Sequence, residues 1–364
     1  MLKFLLSPFN SADPEVLDIL SSPAFANRET NPYNSQIYEV IANENTTVND
    51  YSDIRLLVKS SDIVHIHWPE YFFFFTETSA PKMIWKASIR MFILYISKLW
   101  GTKVFWTIHN LQPHEVRRPT VEKILMRLLA KRVDSLILLN KNSDKEIREM
   151  YPSLNKTPAN LIPLCHSRDI YKTKLDKDQA KKIYGFESEQ ILLSYFGRIR
   201  RYKNVQSLVK SFRGLENSKL RLMISGECGD PALRDEIIEE AKGDTRIRLH
   251  FEDLSAQQLA NVVTASDLTV LPYDTVLNSG TAFLALSLSR PILLPRTRAF
   301  EELRDEVGSD WIQHYDGELD NGDILKAISW ASRESRGEQV QLECFAPETI
   351  GLNTFKAYQS ALHQ

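Results

Sequence analysis

Short apolar runs alternate with amphipathic stretches along almost the whole chain. An apolar run that lacks a polar face must be covered on both sides, and crossover helices are what cover a parallel sheet. This rhythm restricts the chain to an α/β fold. In the first half the runs that predict strands are residues 2–7, 63–67, 103–109, 135–140 and 160–163, with helical stretches at 121–131 and 143–151. A charged segment, 173–182, reads as a connector or as the first helix of the second half. The rhythm then restarts, with strands at 191–196, 220–225, 246–251, 268–271 and 291–294 and helices at 204–213, 231–242, 256–265 and 279–289. At roughly 100–200 residues per domain, 364 residues make two domains. The expected organisation is two Rossmann-like, doubly wound domains facing a cleft, over residues 1–170 and 171–345, closed by a helix in 346–364. Ligands of such sheets sit beyond the carboxyl ends of the strands.

Composition narrows the function. Lys plus Arg is 45, Asp plus Glu is 47, and the net charge is −2, so no basic excess points to nucleic acid. Thirteen glycines are few, since average usage of ~7% gives about twice that, and a glycine-rich phosphate loop is not expected. Cys165, Cys228 and Cys344 form no paired motif, which fits a reducing compartment and neither a disulfide framework nor a structural zinc site. The N-terminus lacks the apolar core and cleavage site of a signal peptide, so a cytoplasmic location is expected.

Residues 71–75 read YFFFF, and 83–100 form an apolar stretch interrupted by Lys86, Arg90 and Lys98. Charges at the centre of a membrane span are costly, which argues against a span. A helix with a basic edge at the bilayer surface fits better, joined by Arg117, Arg118, Lys123, Arg127, Lys131 and Arg132. An anionic inner leaflet would contribute ~1 kcal/mol per basic residue close to it. The other reading is a buried helix beside a solvated face.

After strand 191–196 comes Gly197-Arg198-Ile199-Arg200-Arg201-Tyr202-Lys203-Asn204. Gly197 permits close backbone approach, while Arg198 and Lys203 supply a forked donor and a point charge suited to a diphosphate. After strand 268–271 the chain runs through Tyr273, Asn278, Ser279, Gly280 and Thr281 into an apolar helix. Asn278 or Ser279 can cap that helix, and the amides of Ser279, Gly280 and Thr281 then form an anion site. Together the two loops point to a nucleoside diphosphate.

The first half carries Asn31-Pro32-Tyr33, then His65-Ile66-His67-Trp68-Pro69-Glu70 after one strand and His109 through His114 and Glu115 after the next. His65 and His67 share a strand face. They could hold a metal with His109 or His114, but nothing else sets a ligand spacing, and a buried, hydrogen-bonded His65 fits better. Glu70, His109, His114 and Glu115 are candidate general bases.

Six segments, NPYNSQIYE, HIHWPEY, TIHNLQPHE, FGRIRRYKN, LPYDTVLNSGTAFLALSLSRPILLP and DEVGSDWIQHYDGE, resemble in order the motifs of the bacterial GDP-mannose:glycolipid 4-β-mannosyltransferases of xanthan-type polysaccharide assembly, which have the GT-B fold. The resemblance runs from Asn31 to Glu318. It implies inverting transfer of mannose from a GDP-mannose donor to a lipid-linked oligosaccharide at the inner face of the plasma membrane, with no metal and no other cofactor. It places the donor on Gly197, Arg198, Lys203, Tyr273 and Asn278 to Thr281, and the acceptor near Asn31, Tyr33, His67 and Trp68. Glu70 or Glu115 would be the base, with His109 close to the sugar or diphosphate. Larger GT-B relatives commonly carry an acidic pair eight apart around this helix. Val276 and Leu284 stand at the corresponding positions, so ribose recognition must differ. The alternatives are a retaining GT-B enzyme using a UDP-sugar, a nucleotide-sugar 2-epimerase, and a non-catalytic nucleotide-sugar-binding subunit.

Overall fold

The computed structural model describes residues 16–43, 45–111, 117–274, 276–333 and 336–363. In chain order the first domain contains β1 (Leu17–Ser22), α1 (Tyr33–Ile41), β2 (Thr46–Asp50), α2 (Asp53–Lys59), β3 (Ile63–Ile66), α3 (Pro69–Phe72), α4 (Ala80–Ile96), β4 (Lys103–Ile108), α5 (Pro119–Arg132), β5 (Ser135–Leu138), α6 (Asn142–Met150) and β6 (Ala159–Leu161). The second contains α7 (Lys177–Ile183), β7 (Ile191–Phe196), α8 (Val205–Arg213), β8 (Leu220–Ser225), α9 (Pro231–Ala241), β9 (Ile247–His250), α10 (Ala256–Ala265), β10 (Leu268–Val270), α11 (Gly280–Ser287), β11 (Ile292–Pro295), α12 (Arg298–Val307), β12 (Ile312–Tyr315) and α13 (Asn321–Ala331). The last helix is α14 (Pro347–Leu362).

Each domain is built on a six-stranded, wholly parallel sheet. The first has the order β2-β1-β3-β4-β5-β6 and the second β12-β11-β10-β7-β8-β9. The second is the six-strand Rossmann order, whose connections diverge between β7 and β10. In the first sheet the divergence lies between β1 and β3.

Three strands have no counterpart among the runs that predicted strands: β1, β2 and β12. Their sequences, LDILSS, TTVND and IQHY, mix polar with apolar residues. β1 buries Asp18, whose carboxylate accepts from Thr47, Arg55 and Ser61 at 2.6–2.7 Å. These bonds hold its carboxyl below the usual range in spite of burial. The charged segment 173–182 enters α7 through a capping box between Asp176 and Gln179. Residues 2–7, expected as a strand, lie outside the described residues.

The aromatic run is a correction. Phe72, Phe73 and Phe75 are fully buried in the core of the first domain. Arg90 covers Phe74 at 4.2 Å and pairs with Asp53 at 3.1 Å. Burial of these rings gains more than leaving them at a surface, about 1.5–3 kcal/mol each, so they are not a membrane anchor. Arg132 likewise is buried, donating to the carbonyls of Leu94 and Thr102 and pairing with Asp134 at 2.6 Å. The exposed apolar surface lies elsewhere, at Ile54 and Val58 of α2 and at Trp85 and Phe92 of α4. Among the described residues no helix is long and apolar enough to cross a membrane.

Helix α14 returns from the second domain and packs on α1 of the first, where a Cβ on Gly351 would lie 2.7 Å from Cβ of Val40. A second close approach shapes the cleft. Gly226, at φ +149°, follows β8, and a Cβ there would sit 2.1 Å from the carbonyl oxygen of Gly197. Backbone cannot give way as a side chain can, so Gly226→Ala should lower the unfolding free energy by about 2–3 kcal/mol. Urea denaturation, read as a lower midpoint at unchanged slope, checks this.

Candidate functional site

The donor side grows out of the divergence point of the second sheet. Beyond β7 the chain turns at Gly197, at φ +96°, with its amide donating to Ser225 O at 3.0 Å. The Tyr195 hydroxyl donates to Arg198 O at 3.0 Å. The cations beyond it divide. Arg201 turns outward to Asp230 (2.9 Å) and Glu236 (3.2 Å) of the α9 region. Arg198 is half-exposed, 3.6 Å from Glu227. Lys203 lies under the loop, 5.9 Å above the ring of Tyr273. Burial, followed by the charges of Arg200 and Arg198, pushes its ammonium down to about 7.

Beyond β10 the second loop is bonded to the first. Asp274 N donates to Tyr202 O at 3.0 Å, and Asn204, in the left-handed region at φ +50°, donates to Asp274 Oδ1 at 2.8 Å. Ser279 caps α11, accepting from Ala282 N at 3.1 Å and contacting the Tyr273 hydroxyl at 3.1 Å. Burial pushes that hydroxyl up to about 12. Thr281 Oγ1 would stand 3.1 Å from a Cβ on Gly197, so the first turn of α11 abuts the Gly197 backbone. The first turn of α11, whose leading amides have no intrahelical partner, thus adjoins the turn that begins the basic loop.

Asn278, a candidate cap with Ser279, is used differently. Its oxygen accepts from Asn140 Nδ2 at 3.0 Å and its amide approaches His109 O at 3.4 Å. Asn140 Nδ2 also bonds Leu277 O at 3.0 Å, and Glu302 of α12 accepts from Lys141 N (3.1 Å) and Asn142 Nδ2 (2.7 Å). The donor loop is therefore tied to the first domain.

The acceptor side stands on the ends of β3 and β4. His67, Trp68, Pro69, Glu70, His109 and Met126 line one pocket. Trp68 stacks on His109 with centroids 4.3 Å apart and planes 18° apart, and Tyr33 meets the same imidazole edge-on at 5.4 Å. Asn31, half-buried, accepts from Tyr33 N at 3.3 Å. Burial raises the Glu70 carboxyl above its ordinary value, partly offset by its own backbone amide and by Arg200 of the opposite domain. Burial lowers His65 and His109 to about 3 and His67 well below its ordinary value, so all three are neutral at pH 7. Their ring nitrogens bond one another and neighbouring hydroxyls: His67 Nδ1 to His109 Nε2 (3.2 Å), His65 Nε2 to Thr107 Oγ1 (2.7 Å) and His65 Nδ1 to Tyr358 (2.6 Å). Among the described residues no group of three His, Cys, Asp or Glu is arranged to hold a metal. Glu115 and His114 lie outside the described residues.

Sequence reading missed Arg200, Asn140, Tyr38 and Tyr358. Arg200 stands inside the FGRIRRYKN segment, but only the turn of Arg201 toward α9 reveals which cation faces the cleft. Nothing in sequence spacing could bring Tyr358 beside His65.

The profile described as "Glycosyl transferases group 1" matches residues 176–282. A GDP-mannose:glycolipid 4-beta-D-mannosyltransferase of Xanthomonas campestris pv. campestris is 30% identical over 346 residues, covering 95% of this chain and 93% of that protein. In fold the chain is similar to sucrose-phosphate synthase from Thermosynechococcus elongatus, with a TM-score of 0.63 at 13% identity over 95% of this chain and 94% of the other. It is also similar to Anabaena HepE in complex with UDP-glucose, with a TM-score of 0.60 at 10% identity over 95% and 98%.

An anion held by Lys203 would bind in a pH-dependent way. Bound phosphate favours the charged ammonium, so binding above about pH 7 must draw in a proton. For a nucleoside diphosphate sugar, whose phosphates do not titrate near neutrality, Kd should rise between pH 7 and 9, by up to about tenfold per unit. Calorimetry in buffers of different ionisation enthalpy should register proton uptake approaching one, lost in Lys203→Arg.

Proposed function

We propose a specific reaction for this chain, which belongs to the GDP-mannose:glycolipid 4-β-D-mannosyltransferase family and is a GT-B glycosyltransferase: inverting, metal-independent transfer of mannose from GDP-mannose to a lipid-linked oligosaccharide in bacterial polysaccharide biosynthesis. The observation that carries the reading is the placement of a carboxylate opposite a basic loop across the cleft. A half-buried carboxylate of raised pKa, Glu70, stands in the field of Arg200, on the loop that carries Arg198 and Lys203 and abuts the first turn of α11.

The chemistry is set by that placement. GDP-mannose lies with its diphosphate between the Gly197–Lys203 loop and the amides of Gly280 and Thr281. Glu70 removes the proton of an acceptor hydroxyl. The freed oxygen attacks the anomeric carbon from the face opposite GDP, and the bond to the β-phosphate oxygen breaks. Arg198, Lys203 and the α11 amides meet the charge that develops there, the role a divalent ion takes in other transferases. His109, neutral and stacked on Trp68, orients a sugar or phosphate oxygen. Removing Arg198 should cost ~3–4 kcal/mol of barrier if it acts as a lost oxyanion-type donor does.

The enzyme works at the inner face of the plasma membrane as a peripheral protein. Trp85, Phe92 and Leu99 are exposed on and just after α4, beside exposed Lys98 and the exposed Lys123, Arg127 and Lys131 of α5. This mixture of apolar and basic groups suits an anionic lipid surface.

With GDP-mannose and a lipid-linked oligosaccharide, Glu70→Gln should lower kcat by at least about a hundredfold while donor affinity holds. The product's anomeric proton and carbon couplings in NMR should report a β-mannoside, formed equally well in EDTA. An intact kcat removes Glu70 as base, and an α-product replaces the inverting reading with the retaining one. Separately, flotation should recover the enzyme with anionic vesicles and not zwitterionic ones, and Trp85→Ser with Phe92→Ser should abolish flotation without changing GDP binding.

A further inference from the structure

Behind the acceptor pocket lies a buried chain of hydrogen bonds that meets the proposed reaction only at its last member, His109. It starts on the last helix. Tyr358 of α14 is fully buried, with its hydroxyl 2.6 Å from His65 Nδ1. Tyr38 of α1, also fully buried, lies 2.8 Å from the same nitrogen and 2.8 Å from His67 Nε2. His67 Nδ1 then reaches His109 Nε2 at 3.2 Å. His109 Nδ1 makes no hydrogen bond among the described residues, and the ring lines the pocket with Glu70.

Proton counting gives this chain a direction. Burial keeps both phenols protonated and all three imidazoles neutral. Each phenol has one hydrogen to give, and each neutral imidazole has one N–H and one accepting nitrogen. Tyr358 makes the shortest bond to His65 Nδ1 and fills its single lone pair. His65 then carries its hydrogen on Nε2 and donates it to Thr107 Oγ1, 2.7 Å away. With His65 Nδ1 occupied, Tyr38 turns its hydrogen to His67 Nε2. His67 must then carry its own on Nδ1, where it donates to His109 Nε2. That leaves the hydrogen of His109 on Nδ1.

We propose that Tyr358, acting through Tyr38 and His67, is a positioning residue that fixes His109 in the Nδ1–H tautomer. His109 thereby meets the substrate as a neutral hydrogen-bond donor and not as a base. Its partner is a sugar hydroxyl or diphosphate oxygen, which rests on the transferase reading; the tautomer itself does not. Removing the Tyr358 hydroxyl frees His65 Nδ1 to accept from Tyr38. The lower chain then reverses: His67 donates from Nε2 to the Tyr38 oxygen and accepts at Nδ1 from His109, whose hydrogen moves to Nε2. A helix that closes the chain thus sets the protonation of a residue in the cleft of the other half.

The test is two-bond 1H–15N NMR of histidine rings in the full-length protein, with the His109 signals assigned by their loss in His109→Gln. The native enzyme should show His109 protonated on Nδ1, a result that requires no variant to fold and no substrate. Tyr358→Phe should move that hydrogen to Nε2 and lower kcat/KM about tenfold, the worth of one hydrogen bond. Tyr38→Phe should uncouple the chain, so that adding Tyr358→Phe no longer changes His109. A native His109 protonated on Nε2 overturns the proposal, as does a tautomer unmoved in a folded Tyr358→Phe. If the tautomers behave as stated but no mannose is transferred, the reaction assigned to the cleft fails and the relay stands.

Discussion

The carboxylate of Asp267 joins β7 to β10. It accepts the Leu192 amide at 2.8 Å and the ammonium groups of Lys177 and Lys181 at 2.9 and 2.7 Å, while the Asp267 amide donates to Leu192 O at 2.9 Å. Lys181 is itself buried and donates to Gln190 O at 2.6 Å. A buried ion pair with its remaining donors satisfied is costly to break by removing one partner. It fixes the register Leu268↔Leu193 at the point where the sheet's connections diverge. The donor side leaves the opposite, carboxyl ends of the same two strands, so the register set here positions the Gly197 turn, the Lys203 ammonium and the capped start of α11.

Two kinds of polar arrangement face each other across the cleft. On the donor side, charge is concentrated and incompletely paired. Arg198, Arg200 and Lys203 crowd together until burial and mutual repulsion bring Lys203 to about neutrality. Such crowding of like charge is unfavourable in itself and would be relieved by a bound anion, as the proposed diphosphate site requires. On the acceptor side the histidines are neutral, buried and hydrogen-bonded, and Glu70, the one carboxylate among the described residues that line their pocket, has its pKa raised. The two sides touch through Asn140, Asn278 and Glu302, so the position of α11's first turn depends on the first domain as well as the second.

The parts of this site that were legible in the sequence are those where chemistry sits directly after an apolar strand. Gly197 to Lys203, Tyr273 to Thr281, His67 to Glu70 and His109 all do, because a parallel sheet brings its carboxyl ends to one edge. The strands β1, β2 and β12 were not legible, since Asp18, Asn49 and His314 interrupt any apolar run and Asp18 is made tolerable only by partners distant in sequence. The run at 71–75 misled for the opposite reason: apolar sequence says that a ring leaves water, not whether protein or lipid receives it. Tyr38 and Tyr358 could not be found at all, because their meeting depends on α14 crossing back to pack on α1 at Gly351.

The central claim is that the loops beyond β7 and β10 hold a guanosine diphosphate sugar by protein cations and helix amides. Isothermal titration of GDP-mannose and of UDP-glucose in EDTA, with native enzyme and with Arg198→Ala and Lys203→Ala, tests it most directly. The account predicts saturable binding that favours GDP-mannose, persists in EDTA and weakens at least about tenfold with either substitution, as expected for a lost charge-assisted bond. Tighter binding of UDP-glucose, or GDP-mannose affinity indifferent to both substitutions, would contradict it.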